Sequence, residues 1–281
     1  MPSVQYFIFD IETVADGELI SALRYPDERP KPMVAIERYR AELMEKYDND
    51  FIPYTYQVPI SVAIAKVGAD FAIQDLVVLD EPHFRPHIIT QHFWLGWEKY
   101  GQPTWVSFNG RSFDLPLMEL SAFRFGQSVP AWFNLHAKNW EQSRNRYNLN
   151  SHIDLQDLLT NFGATRFQGG LNLAANLIGK PGKIQVHGHM VQDMYHEGQI
   201  REINDYCRCD VLDTYFVFLR SRVLVGEITL EQEQDLVDHA RAWIEEKART
   251  QAAFRLYASN WGDWENPWEQ GESKPSTEDT T

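Results

Sequence analysis

The chain has 281 residues, 43% hydrophobic, 13% aromatic and 23% charged, an ordinary globular composition with room for one large domain or two small ones. Its apolar runs fall short of the ~20 residues that a membrane span needs. Against 26 Lys and Arg stand 40 Asp and Glu, a net charge of −14, which argues against a uniformly basic surface for polyanions but not against carboxylates that hold metal ions.

Taken in chain order, residues 4–11 are nearly all β-branched or aromatic and predict a strand buried on both faces. A charged segment over 34–47 reads as a surface helix inserted before the next strands. Residues 58–67 and 71–79 flank Gly68-Ala69-Asp70 and predict a hairpin. Helical periodicity follows over 86–100, a short strand over 104–108, and helices over 115–125, 171–178 and 199–223. His152 and Ile153 finish a strand, and Asp154 is placed to cap a short helix running to Phe162. Residues 230–257 read as a long amphipathic helical segment, and 259–281 as a polar, acidic, disordered tail. The opening MPSVQYFIFDIET shows neither a basic n-region nor a small-residue cleavage site, so no secretory leader is expected. Cys207 and Cys209 are too few for a disulfide framework, and a reducing, cytoplasmic setting is expected.

Three short motifs carry chemistry. Asp10-Ile11-Glu12 ends the first strand, where residues two apart share a face, so two carboxylates stand together at the edge of a hydrophobic core. Charges beside an apolar strand are costly unless compensated. Asp16/Glu18 and Asp263/Glu265 repeat the spacing outside such a strand. Asn109-Gly-Arg-Ser-Phe113-Asp114 follows the strand at 104–108; Asp114 taken alone reads first as a helix N-terminal acid, and as a partner for Asp10 and Glu12 if the two strands are neighbours. Tyr206 and Asp210, four apart, share one helix face.

In this order the motifs resemble the DEDD 3′-to-5′ exonucleases: D-x-E at Asp10 and Glu12, N-x-x-x-F-D at Asn109, Phe113 and Asp114, and the Y-x-x-x-D of the tyrosine subclass at Tyr206 and Asp210. Asp205 stands where the histidine subclass would carry its histidine. The likeness is nearest to stand-alone relatives of the proofreading domain of family B DNA polymerases. It implies an α/β, ribonuclease-H-like mixed sheet flanked by helices, with the inserted helix after the first strand and a helical C-terminal extension. The implied division is an exonuclease domain over 1–225, the extension over 226–258 and the tail over 259–281.

The resemblance also implies a chemistry. Asp10, Glu12, Asp114 and Asp210 would ligate two Mg²⁺ or Mn²⁺ ions, as oxygen-only donors suit, and Tyr206 would position the attacking water. Asn109 and Phe113 are candidates for substrate contact, with packing beneath the site the competing role for Phe113. The expected activity is hydrolysis at 3′ ends of single-stranded or frayed DNA. The alternatives are an exoribonuclease, since a 2′-OH contact has no visible signature, and a non-catalytic nucleic-acid-binding module.

The partner is then nucleic acid. Lys138, Arg144, Arg146, Arg166, Lys180 and Lys183, with Trp140, Tyr147 and Phe167 among them, form a locally basic and aromatic stretch suited to single strands. A solvated loop with core aromatics is the bland reading of the same stretch. Trp261, Trp264 and Trp268 make the acidic tail a candidate docking peptide for a protein partner.

Overall fold

The structure is a computed structural model that describes residues 3–182 and 190–269. Five strands, β1 (Val4–Ala15), β2 (Gln57–Gly68), β3 (Ile73–Val78), β4 (Thr104–Ser107) and β5 (His152–Asp154), form one mixed sheet in the order β3-β2-β1-β4-β5. β1 is central. It pairs antiparallel with β2, placing Asp10 opposite Ala63 and Glu12 opposite Ser61, and parallel with β4, which is parallel to β5.

The alternation of β1 sorts its side chains into two cores. Phe7, Phe9 and Ile11 point toward α3 (Pro86–Lys99) and α4 (Asp114–Arg124), where Phe93 stacks on Trp105 with ring centroids 4.2 Å apart. Ile8, on the opposite face, packs against the long helix α9 (Ile200–Leu224) among Cys207, Val211, Leu212 and Tyr215. Burying each such aromatic or branched side chain is worth about 1.5–3 kcal/mol. Asp10 and Glu12 continue the Ile8 face and therefore look toward α9 where its apolar packing ends.

The insertion holds two helices rather than one: α1 (Gly17–Arg24), capped by Asp16, precedes α2 (Pro32–Tyr47). They close on a core of their own, with Ile20, Ala35, Ile36, Tyr39 and Ile52 buried. A short 3₁₀ turn at Tyr54–Tyr56 then leads into β2. Two smaller helices, α5 (Pro130–Phe133) and α6 (Leu155–Leu159), flank the loop before β5 and the strand's end. Past them lie α7 (Gly170–Asn176) and α8 (Val191–His196).

The helical segment expected over 230–257 consists of two helices. α10 (Leu230–Ala248) starts with a capping box at Thr229 and Gln232, and α11 (Ala252–Ser259) folds back against it. The break brings Phe254 and Tyr257 into the α9 core, which a straight helix would carry past it. The following residues do not run loose at once. Trp261 packs on Phe216 and Tyr257, Lys180 lies 4.1 Å from the Trp261 ring, and Arg220 lies 4.1 Å from that of Trp264. This strap crosses the Gly179–Lys180 segment so closely that a Cβ on Gly262 would lie 2.5 Å from the Gly179 carbonyl oxygen. Residues 270–281, with Lys183, His187 and His189, lie outside the described residues. Among the described residues no helix is long and apolar enough to cross a membrane.

Candidate active site

The three motifs converge on one cleft. Asp10, Glu12, Asn109, Phe113, Asp114, Tyr206 and Asp210 all line a cavity of about 800 Å³. β1 contributes the first two, the β4–α4 turn the next three, and one face of α9 the last two. The parallel pairing of β1 with β4 supplies the adjacency that Asp114 needed.

The turn from β4 into α4 is built for close approach. Asn109 takes a left-handed conformation, φ +65°, which asparagine tolerates better than most residues. A Cβ on Gly110 would lie 2.8 Å from the Asp114 carboxylate and 2.4 Å from the Ser107 hydroxyl, so glycine is required there. Asp154, at the end of β5, anchors the turn. Its carboxylate accepts from the backbone N–H groups of Asn109 at 2.9 Å and Arg111 at 2.8 Å. It also accepts from those of Gln156 at 3.0 Å and Asp157 at 3.3 Å, the N-terminal groups of α6. Capping of α6 and support for the site are thus one arrangement. Arg111 locks the same corner by donating to Asp157 at 2.8 Å and to the His152 carbonyl at 3.2 Å.

The electrostatics are those of crowded negative charge. Asp114 is buried, and burial first, then the charges of Asp10 and Asp154, push its carboxyl well above the usual range. Tyr206 is pushed far up by burial and then by Asp210, Glu12 and Asp10, so its phenol stays protonated. Asp210, Glu12, Asp10 and Tyr206 all line this one cavity. Arg40, which also lines the cleft, is engaged by Asp50.

Several contributors carry no sequence signal. Cys207 sits directly under the strand, its thiol donating to the Asp10 carbonyl oxygen at 3.3 Å. One ligand atom each from Asp10, Glu12 and Cys207 lie within 4.8 Å of one another. Burial, then Asp10 and Glu12, raise the thiol well above its ordinary value. Ser61, opposite Glu12, donates to buried Asn204 of α9 at 2.5 Å, and Gln192 of α8 accepts from the Ala15 N–H at 2.7 Å while lining the cleft. From the insertion comes Phe51, 57% exposed, with its ring 5.8 Å from that of Phe113. Phe113 is only partly covered, so it both packs against the α3–α4 core and faces the cleft.

A mixed sheet flanked by helices, with an acidic cleft where parallel strands end, is the ribonuclease-H-like arrangement. The chain belongs to a family described as predicted 3′-5′ exonuclease related to the exonuclease domain of PolB, whose model matches residues 49–261. That family is one of nucleases, and its substrate is nucleic acid. Asn109, Phe113, Asp114, Tyr206 and Asp210 lie inside the matched span, and Asp10 and Glu12 lie ahead of it.

Among solved structures, the chain is similar to a family B DNA polymerase from the hyperthermophilic archaeon Pyrobaculum calidifontis, with 13% identity and a TM-score of 0.48. The similarity covers 79% of this chain and 25% of the polymerase, so the chain spans about a quarter of that protein's length. No curated protein matches.

Proposed function

We propose that the protein is a metal-dependent 3′-to-5′ exonuclease acting on 3′ ends of single-stranded or frayed DNA. The observation that carries the reading is the convergence of Asp10, Glu12, Asp114 and Asp210, from three elements distant in sequence, on one open cleft beside a protonated Tyr206. A carboxyl group pushed up by burial and then by its acidic neighbours calls for a compensating cation, and a donor set made of oxygens fits Mg²⁺ or Mn²⁺. The four carboxylates are the candidate ligands of two such ions. When bound, the pair supplies charge for the attacking and leaving oxygens of an in-line displacement.

The remaining work falls to the chain. A phenol that stays neutral is no general base, so the role of Tyr206 is to orient the attacking water by a hydrogen bond. Water forms the new P–O bond, the bond from phosphorus to the upstream 3′-oxygen breaks, and that oxygen takes a proton as it leaves as a hydroxyl. The product is a 5′-mononucleotide and a strand one unit shorter. Asn109, whose side-chain oxygen is occupied by Gln156 at 2.8 Å and Ser112 at 2.7 Å, directs its amide nitrogen as a donor for substrate. Phe113 and Phe51 offer an apolar wall for a terminal base.

The test is 5′-labelled single-stranded DNA, duplex DNA and RNA of one sequence, incubated with Mn²⁺, Mg²⁺ or chelator. The expected result is a descending ladder from single-stranded DNA that requires metal. A ladder from RNA alone would move the substrate to RNA, and no shortening of any strand would leave a binding module.

A further inference from the structure

Outside the cleft, the loop of residues 134–151 carries large aromatic rings that burial does not explain. Tyr147 is 66% and Trp140 67% exposed, and each is accompanied by a cation: Arg146 lies 5.6 Å from the Tyr147 ring and Lys138 5.5 Å from that of Trp140. A two-thirds exposed ring gains little from the hydrophobic effect. The loop has little regular structure after α5, yet it is held in place internally. Gln142 donates to the Ala137 carbonyl at 3.0 Å, Asn145 to that of Asn139 at 2.6 Å and Asn148 to that of Gln142 at 3.1 Å. Arg144 is taken up by Glu119; Lys138 and Arg146, though paired with Glu141 and Asp157, keep about half or more of their side-chain surface in solvent.

The loop connects to the cleft through a short chain of contacts. Tyr147 packs edge-on against Phe162 at 5.0 Å, and Arg146 donates to the Phe162 carbonyl at 3.0 Å and lies 3.7 Å from Asp157. Asp157 binds Arg111, whose backbone N–H joins Asn109 on the Asp154 carboxylate. The platform is thus two side chains away from the turn that carries Asp114.

We infer that Tyr147 and Arg146 form a second binding site for single-stranded nucleic acid, on which the nucleotides 5′ of the cleaved residue lie: a base stacks on the Tyr147 ring and a phosphate meets the Arg146 guanidinium. The inference rests on the reading of the cleft as the place where a 3′ end enters. Stacking tolerates any base, and a pre-ordered loop spends little entropy on binding, so the site holds the strand without reading its sequence. A lone charged patch would favour duplex equally; exposed π-faces favour unpaired bases.

The experiment compares wild type, Tyr147→Ala, Tyr147→Phe and Arg146→Ala in two ways. First, kcat/KM is measured on single-stranded DNA of 3 and of 12 nucleotides. Stacking on one ring is worth about 5- to 150-fold in affinity, so the advantage of the 12-mer over the trinucleotide is expected to fall about tenfold in Tyr147→Ala and to survive in Tyr147→Phe. A loss of stability alone lowers both substrates together, and an unchanged ratio overturns the inference.

Second, binding of a labelled 12-mer is followed by fluorescence anisotropy in Ca²⁺, without reliance on turnover. Tyr147→Ala is expected to bind about tenfold more weakly, and Arg146→Ala to lower the slope of log affinity against log salt by about 0.7. Equal binding by wild type and Tyr147→Ala, or duplex bound as tightly as single strand, overturns the inference. If wild type shortens no oligonucleotide, the exonuclease reading falls, and the anisotropy still decides the platform.

Discussion

Asp154 is the side chain whose replacement tests most directly how the cleft is built. Asp154→Ala removes the acceptor of four backbone N–H groups, two at the start of α6 and two in the turn that leads to Asp114. Losing a helix N-cap acceptor costs about 0.5–2 kcal/mol, and leaving part-buried N–H groups unsatisfied costs about 1–3 kcal/mol each. The expected loss is about 2.5–8 kcal/mol, a large share of the 5–15 kcal/mol typical of a whole domain. Asp154→Asn separates the two roles. Oδ1 takes the N–H groups of Asn109, Gln156 and Asp157, and Oδ2 takes that of Arg111. An asparagine oxygen at the first position keeps α6 capped while its NH₂ meets the Arg111 N–H, donor against donor. That variant is expected to lose about 1–3 kcal/mol and to bind Mn²⁺ more weakly, because the turn that aims Asp114 is loosened. Urea unfolding gives the first quantity and calorimetric Mn²⁺ titration the second. Asp154→Ala within about 0.5 kcal/mol of wild type, with unaltered Mn²⁺ affinity, would refute the reasoning.

Asp10→Ala is expected to abolish exonucleolysis while leaving the circular dichroism spectrum intact; full activity would remove Asp10 from the ligand set. Tyr206→Phe is expected to retain measurable turnover with the same pH–rate shape as wild type, because burial and then the neighbouring carboxylates hold the phenol pKa up, and loss in the variant of a limb that rises with pH would show it to be a working base. Asp114 has a raised folded pKa, so the metal-free protein gains stability from its proton below the unfolded value near 3.9 and loses it as pH rises through the folded value. Asp114→Asn should therefore exceed metal-free wild type in thermal stability at pH 8 and converge on it toward pH 4; a gap independent of pH would contradict the burial argument. Gly262→Val forces the strap from the Gly179 carbonyl and is expected to cost about 1–3 kcal/mol, with a changed tryptophan emission from Trp261, whereas wild-type stability would show that the strap is not held by that contact.

The parts of the molecule that were legible in sequence are those whose signal is local. Alternation along residues 4–11 put Asp10 and Glu12 on one face, and the four-residue spacing of Tyr206 and Asp210 put them on one side of a helix; both periodicities are set by backbone geometry. What was hidden depends on pairing across the chain. Nothing near Asp154 indicates that its second oxygen serves a turn 43 residues earlier, and nothing near Cys207 reveals that it lies beneath Asp10, 197 residues away. The break between α10 and α11 contains neither proline nor glycine; it follows from where Phe254 and Tyr257 find burial. Trp261 and Trp264 read as residues of a loose acidic end because the cations that receive them, Lys180, Arg220 and Arg241, come from elsewhere in the fold.

The proposed ligands come from positions 10, 12, 114 and 210, on a central strand, a helix start and the middle of a long helix. A pair of ions held among them would act as a rivet through three elements that otherwise meet by packing and by the hydrogen bond from the Cys207 thiol to the Asp10 carbonyl. Its free energy of binding then adds to the resistance of the whole fold to unfolding, growing with the logarithm of free metal concentration. Depletion of divalent ions would do more than stop the chemistry: it would shorten the lifetime of the native state against heat and proteases.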